Sequence, residues 1–171
     1  MKTSDSLGLC IPYSICVTPD RERGLFADAA IRKGTTVWCH VPGQFAVYDE
    51  QSFKNLLSNM PHHETVYELP HMYSMAEFPG YMIKVFDDGE LMNHSEQPTL
   101  LTNTDSEYYE TPPATSVQEV TTALMGGHFT FLAARDIEAG EELTYDYNTG
   151  PEDPLYYNIL CEQYSVSWEW I

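Results

Sequence analysis

The sequence predicts a mainly β (α+β) fold of short strands. Three observations carry this. Short β-branched and aromatic runs are broken by turn residues throughout the chain. Residues 49–60 are the only clear helix. A strand–turn–strand pattern occurs twice: Phe26-Ala27, Ile31, Gly34 and Val37 repeat as Leu132-Ala133, Ile137, Gly140 and Leu143 at an offset of 106 residues. Alternating aromatic and small residues suit a pleated surface, and glycine accepts the positive φ of a tight turn.

In order, residues 1–9 read as a lead-in and 11–17 as a strand closed by Pro19-Asp20. A turn at 21–24 opens a strand at 25–27. After a second turn, residues 35–41 form a β-branched strand holding Trp38, and 45–48 another. Asp49 is the N-cap of the helix, whose Phe53, Leu56, Leu57 and Met60 share a face, and Pro61 stops it. Residues 61–80 read as a loop with His62, His63 and His71, which lack a fixed metal-ligand spacing. Residues 81–86 form a strand, and Asp87-Asp88-Gly89 a solvated turn. A strand at 100–102 precedes a polar, acidic, proline-containing loop over 103–116; residues 117–125 suit a short strand or helix. Residues 129–134 begin the second repeat unit. Beyond it, Leu143, Tyr145 and Tyr147 share one face of an extended run, so two phenols point the same way. Pro154 starts a short helix in a tail rich in aromatics (Tyr156, Tyr157, Tyr164, Trp168, Trp170), which either packs on the core or closes a pocket.

The 171 residues suit one domain. No run of about 18 apolar residues occurs and no signal peptide is evident, so an intracellular protein, cytoplasmic or nuclear, is expected. Cys10, Cys16, Cys39 and Cys161 have no CxxC spacing and read as reduced, partly buried thiols. A net charge of −18 disfavours direct nucleic acid binding and favours a basic protein partner, or else serves solubility.

Three motifs occur in order: Arg23-Gly24-Leu25-Phe26-Ala27 with Lys33-Gly34, then Asn93-His94-Ser95 with Pro98, then Gly140-Glu141-Glu142-Leu143-Thr144-Tyr145-Asp146-Tyr147. Together they resemble the SET-domain protein lysine methyltransferases. The resemblance implies a SET-type β-clip with a pseudoknot near the active site, one inserted helix and a short C-terminal helical, aromatic tail. It places a lead-in at 1–20, the SET domain at 21–148 (helical insert 49–80, expanded loop 103–128) and an aromatic flank at 149–171. It implies S-adenosyl-L-methionine as cofactor and a lysine-containing, basic protein or peptide as substrate. By resemblance Tyr147 orients the target amine, and Tyr145 holds the position that limits how many methyl groups fit, here one or two. Arg23, Gly24, Asn93, His94 and Tyr147 are the implied cofactor-binding residues. Departures are Glu22 where the family has glycine, Glu96 where it commonly has cysteine, and Thr99 after Pro98 in place of asparagine. Only Cys161 follows Tyr147, so no structural zinc is expected. Two other readings are an inactive SET-like module binding a basic partner, and an antifreeze-like sugar-acid synthase clip. The latter lacks the Asn-His-Ser knot and the tyrosine pair.

Overall fold

The computed structural model describes residues 7–17, 23–75, 77–103, 114–127, 129–147 and 154–166. Among them are ten strands and four α-helices. The strands are β1 (Tyr13–Cys16), β2 (Gly24–Ala27), β3 (Thr36–Cys39), β4 (Phe45–Tyr48), β5 (Met72–Tyr73), β6 (Met82–Val85), β7 (Asn93–His94), β8 (Leu100–Thr102), β9 (Thr130–Ala133) and β10 (Thr144–Tyr145). The helices are α1 (Glu50–Ser58), α2 (His62–Glu68), α3 (Val117–Met125) and α4 (Leu155–Gln163). The chain divides into two compact units, one of residues 1–44, 86–110 and 123–147, the other of 45–85, 111–122 and 148–171.

The first unit holds the antiparallel pair β1–β2, the sheet β3–β9–β8 and the parallel pair β10–β7. The repeat read from the sequence is here a reciprocal exchange. The Gly34 N–H donates to the Ala133 carbonyl at 2.8 Å, and Gly140 N–H to the Ala27 carbonyl at 2.7 Å. Ala133 N–H donates to Thr35 at 3.0 Å and Ala27 N–H to Glu141 at 2.9 Å, while Ile31 and Ile137 bond each other both ways at 2.8 Å. Each bond has its twin at the same offset, so the two units are related by a pseudo-twofold axis. Gly34 and Gly140 carry φ of +79° and +88°, the conformation that the turns require. Leu25, Val37, Leu100, Phe131, Ala133, Ile137 and Leu143 are buried among these strands.

Asp87 departs from the solvated turn expected of it. It is 3% exposed and accepts hydrogen bonds from Gly8 N (2.7 Å), Trp38 Nε1 (3.2 Å), Gln44 Nε2 (2.9 Å) and Gly89 N (3.0 Å). Those donors lie up to 79 residues away, and four of them make a buried carboxylate tolerable. All four cysteines are free thiols; Cys39 is half-buried as expected, whereas Cys161 is buried and Cys10 and Cys16 are exposed.

The second unit carries the antiparallel sheet β4–β6–β5 with α1, α2 and α4. Asp49 caps α1 through Ser52 N at 2.8 Å. The segment expected as a loop after Pro61 instead forms α2 and a short 3-10 turn at Leu69–His71. Its sequence has no continuous apolar stripe, and Thr65 and Leu69 alone of these ten residues are buried. The three histidines are engaged locally or solvated: His62 stacks on Tyr164, His71 stacks on Tyr67 and bonds the Tyr67 carbonyl at 2.6 Å, and His63 lies beside Glu64. Tyr157 is fully buried, donates to the Leu69 carbonyl at 2.7 Å and joins Phe53, Leu57, Met72, Met82 and Leu160 in one cluster. Trp168 and Trp170, like Glu22 and most of the 103–116 loop, lie outside the described residues. Among the described residues no helix is long and apolar enough to cross a membrane.

Candidate active site

Two segments about 50 residues apart in sequence are joined by the two-residue parallel ladder β7–β10, with Thr144 opposite Asn93 and Tyr145 opposite His94. Ser95 N–H extends it to the Tyr145 carbonyl at 3.0 Å. Thr99, 5% exposed, locks the crossing: its hydroxyl donates to the Glu142 carbonyl at 3.0 Å and accepts from Thr144 N at 2.9 Å. Thr99 stood in the sequence as a mere departure from the family pattern. Here its short hydroxyl is a staple of the knot.

The knot places the phenols. The Tyr147 hydroxyl donates to the Met92 carbonyl at 2.6 Å, and Tyr147 N–H donates to His94 Nδ1 at 3.1 Å. Because Nδ1 accepts, neutral His94 carries its proton on Nε2. The Asp146 carboxylate stands 3.6 Å from Nδ1, beyond a hydrogen bond. The rings of Tyr145 and Tyr147 lie 4.5 Å apart, and those of His94 and Tyr147 5.3 Å apart. Phe131 backs Tyr145 at 4.8 Å, and the aromatic run continues through Phe129 to Trp38 and His40. Among the described residues nothing hydrogen-bonds the Tyr145 hydroxyl. Burial first, and then the neighbouring Tyr147, hold that phenol well above the ordinary tyrosine value, so it stays neutral and cannot act as a base.

Arg23, Gly24, Asn93 and Glu142 meet beside this pair. Asn93 Nδ2 donates to the Arg23 carbonyl at 2.9 Å and to Glu142 Oε1 at 2.7 Å. A Cβ at Gly24 would lie 2.5 Å from Glu142 Oε1 and 2.8 Å from Asn93 Nδ2, so a larger residue there would push both side chains from their places. All six residues singled out from the sequence thus lie in one unit around one knot. Glu142 and Met92 were missed. Glu142 sits inside the Gly-Glu-Glu-Leu motif, but its contact with Asn93 spans 49 residues; Met92 acts through a backbone carbonyl, which leaves no trace in side-chain chemistry. The cluster brings together the Asn93 amide, the Glu142 carboxylate and the Arg23 carbonyl. A carboxylate beside an amide suits the ammonium of an α-amino acid, the kind of group that the amino-acid end of S-adenosylmethionine carries. Among the described residues no three His, Cys, Asp or Glu side chains gather to hold a metal ion.

A family model described as the SET domain matches residues 22–148. No curated protein sequence matches the chain. Among solved structures, the Neurospora SET-domain protein DIM-5, a histone lysine methyltransferase, is similar with a TM-score of 0.52 at 15% identity, over 84% of this chain and 54% of that one. KRYPTONITE in complex with mCHG DNA and SAH has a TM-score of 0.48 at 16% identity, over 81% of this chain and 24% of that one. The chain therefore spans about half and about a quarter of the length of these two proteins.

Proposed function

This chain belongs to the SET-domain family, and from that premise we propose that it transfers a methyl group from S-adenosyl-L-methionine to the ε-amine of a lysine in a protein substrate. The observation that carries the reading is the convergence of Tyr147, Tyr145 and His94 with the Arg23–Gly24–Asn93 cluster on one knot. When bound, S-adenosylmethionine supplies an electrophilic methyl group on a sulfonium. The protein's share is alignment. Arg23, the Gly24 backbone, Asn93 and His94 would hold the cofactor. A lysine ammonium, with a reference pKa of about 10.4, must shed its proton before it can attack. The neutral tyrosines do not take that proton, which leaves to solvent. Tyr147 spends its own proton on the Met92 carbonyl, so its oxygen lone pairs accept the amine N–H and turn the nitrogen toward the methyl carbon. The Tyr145 hydroxyl, without a hydrogen-bond partner among the described residues, holds the amine's second hydrogen or a water and crowds out a further methyl. Monomethylation, with slower dimethylation, follows. A net charge of −18 supports a lysine-rich basic protein as substrate and disfavours direct contact with nucleic acid.

The test is calorimetry with S-adenosylmethionine, followed by incubation with lysine-rich peptides and mass analysis. Tyr147→Phe should lower turnover about a hundredfold or more. It should cost only about 1 kcal/mol of stability, the worth of one hydrogen bond. Absent cofactor binding would leave the inactive peptide-binding module as the reading. Wild-type turnover in the variant would reduce Tyr147 to packing.

A further inference from the structure

We infer that Glu142 is a positioning residue for cofactor binding: it holds the Asn93 amide in one orientation, so that Oδ1, an acceptor, faces the ammonium of the cofactor's α-amino-acid end. This rests on the methyltransferase reading above.

A side-chain amide presents an oxygen on one side and an NH2 group on the other, and rotation by half a turn exchanges them at little steric cost. Asn93 has no such choice. Its amide nitrogen lies 2.7 Å from Glu142 Oε1 and 2.9 Å from the Arg23 carbonyl, and both of those oxygens are acceptors. An amide oxygen in that place would face two oxygens without a proton between them. Both N–H groups are thus spent, and the planar amide turns Oδ1 away from the Glu142–Arg23 cradle. Among the described residues nothing donates to that oxygen. Glu142 is itself fixed. Its backbone bridges Phe26, and its carbonyl receives the Thr99 hydroxyl at 3.0 Å. The absence of a Cβ at Gly24 is what admits the carboxylate, since one would lie 2.5 Å from Oε1. A held acceptor oxygen beside a carboxylate favours an ammonium and rejects another carboxylate. Without Glu142 only the Arg23 carbonyl still selects the orientation, and the amide presents NH2, a donor that an ammonium cannot use, in a larger share of molecules.

Two probes separate this role from a structural one. S-adenosylhomocysteine carries the α-amino-acid end; 5′-methylthioadenosine shares the nucleoside and lacks it. Calorimetric titration of each would use the wild type, Glu142→Met, which keeps length but has no acceptor, and Glu142→Gln, which keeps an acceptor but no charge. Glu142→Met should bind S-adenosylhomocysteine about tenfold more weakly, the loss of one hydrogen bond to a charged group, with 5′-methylthioadenosine unchanged. Glu142→Gln should restore most of the lost affinity. The ratio of the two affinities is read within one preparation, so partial unfolding cancels. Equal weakening of both ligands in Glu142→Met would mean that Glu142 only supports the fold. Unchanged S-adenosylhomocysteine binding there would end the inference, and Glu142→Gln as weak as Glu142→Met would show that charge, not amide orientation, is at work. A wild type that binds neither probe would remove the cofactor reading itself.

Discussion

Under the methyl transfer proposed above, product choice would rest on a single oxygen atom, the Tyr145 hydroxyl. The Tyr145 ring is fixed by Phe131 at 4.8 Å and Tyr147 at 4.5 Å, while its hydroxyl has no hydrogen-bond partner among the described residues. Ring and hydroxyl therefore do separate things: the ring packs, and the hydroxyl meets whatever enters. Tyr145→Phe keeps the packing and frees the space of the hydroxyl and any water it holds. A hydroxyl that loses its partner when a methyl is added costs about 1–3 kcal/mol, enough to slow the next transfer tenfold or more. The wild type should thus stop mainly at monomethyl-lysine. The variant should move to di- and trimethyl-lysine with overall activity retained, as read by mass spectrometry of one treated peptide. Mostly trimethyl-lysine from the wild type would contradict this. That Tyr145 and Tyr147 share a face followed from their spacing of two. That Asp87 is a buried anchor did not, because its donors come from Gly8, Trp38 and Gln44, and nothing near Asp87-Asp88-Gly89 in sequence distinguishes it from a solvated turn.

At the scale of elements, legibility tracks locality. The two strand–turn–strand units were readable because each carries its own glycine and its own alternation. Their mutual bonding follows from that likeness: like units meet around an axis and exchange like bonds. Helix α1 was readable from its cap and apolar face. Helix α2 was not, since Thr65 is its one buried residue and the sequence around it is polar. The knot was readable only through the family resemblance, because two-residue strands such as β7 and β10 have no periodicity of their own. The pseudo-twofold axis makes a quantitative prediction. Both turn glycines have positive φ, and a Cβ at either would meet nothing within 4 Å. An alanine there pays only the left-handed backbone cost, about 1 kcal/mol. Gly34→Ala and Gly140→Ala should therefore lower stability by similar amounts in urea denaturation. A several-fold difference between them would show that the two turns are not mechanically equivalent.

For the molecule as a whole, the dominant electrostatic fact is its charge of −18, and acidification relieves that self-repulsion as carboxylates take up protons. His40 works in the opposite direction and in a higher pH range. It is 5% exposed, its ring lies 4.6 Å from Trp38, and Nδ1 is 3.3 Å from the Phe129 carbonyl, to which it donates. Burial pushes its pKa down from 6.5 to about 4, and the bond to Phe129 offsets only part of this. The unfolded chain therefore binds a proton between pH 6.5 and 4 that the folded chain refuses. The stability that His40 contributes is complete above the unfolded value and is lost as pH falls toward the folded one. A shift of that size corresponds to about 3 kcal/mol, a large part of a total of roughly 5–15 kcal/mol. The carboxylates of exposed Asp49 and Glu119 and half-buried Glu141 are held below their ordinary values, Asp49 by Ser52, Glu119 by Thr115 and Glu141 by Arg135 first and then the Glu138 N–H. Urea midpoints measured from pH 7 to pH 4 should fall in the wild type, with most of the loss beginning below pH 6.5. His40→Asn, which keeps a donor for Phe129 and does not titrate, should flatten that limb. An identical slope in the variant would assign the acid sensitivity to other groups, and a wild type that gained stability over this range would mean that relief of the net charge outweighs one buried imidazole.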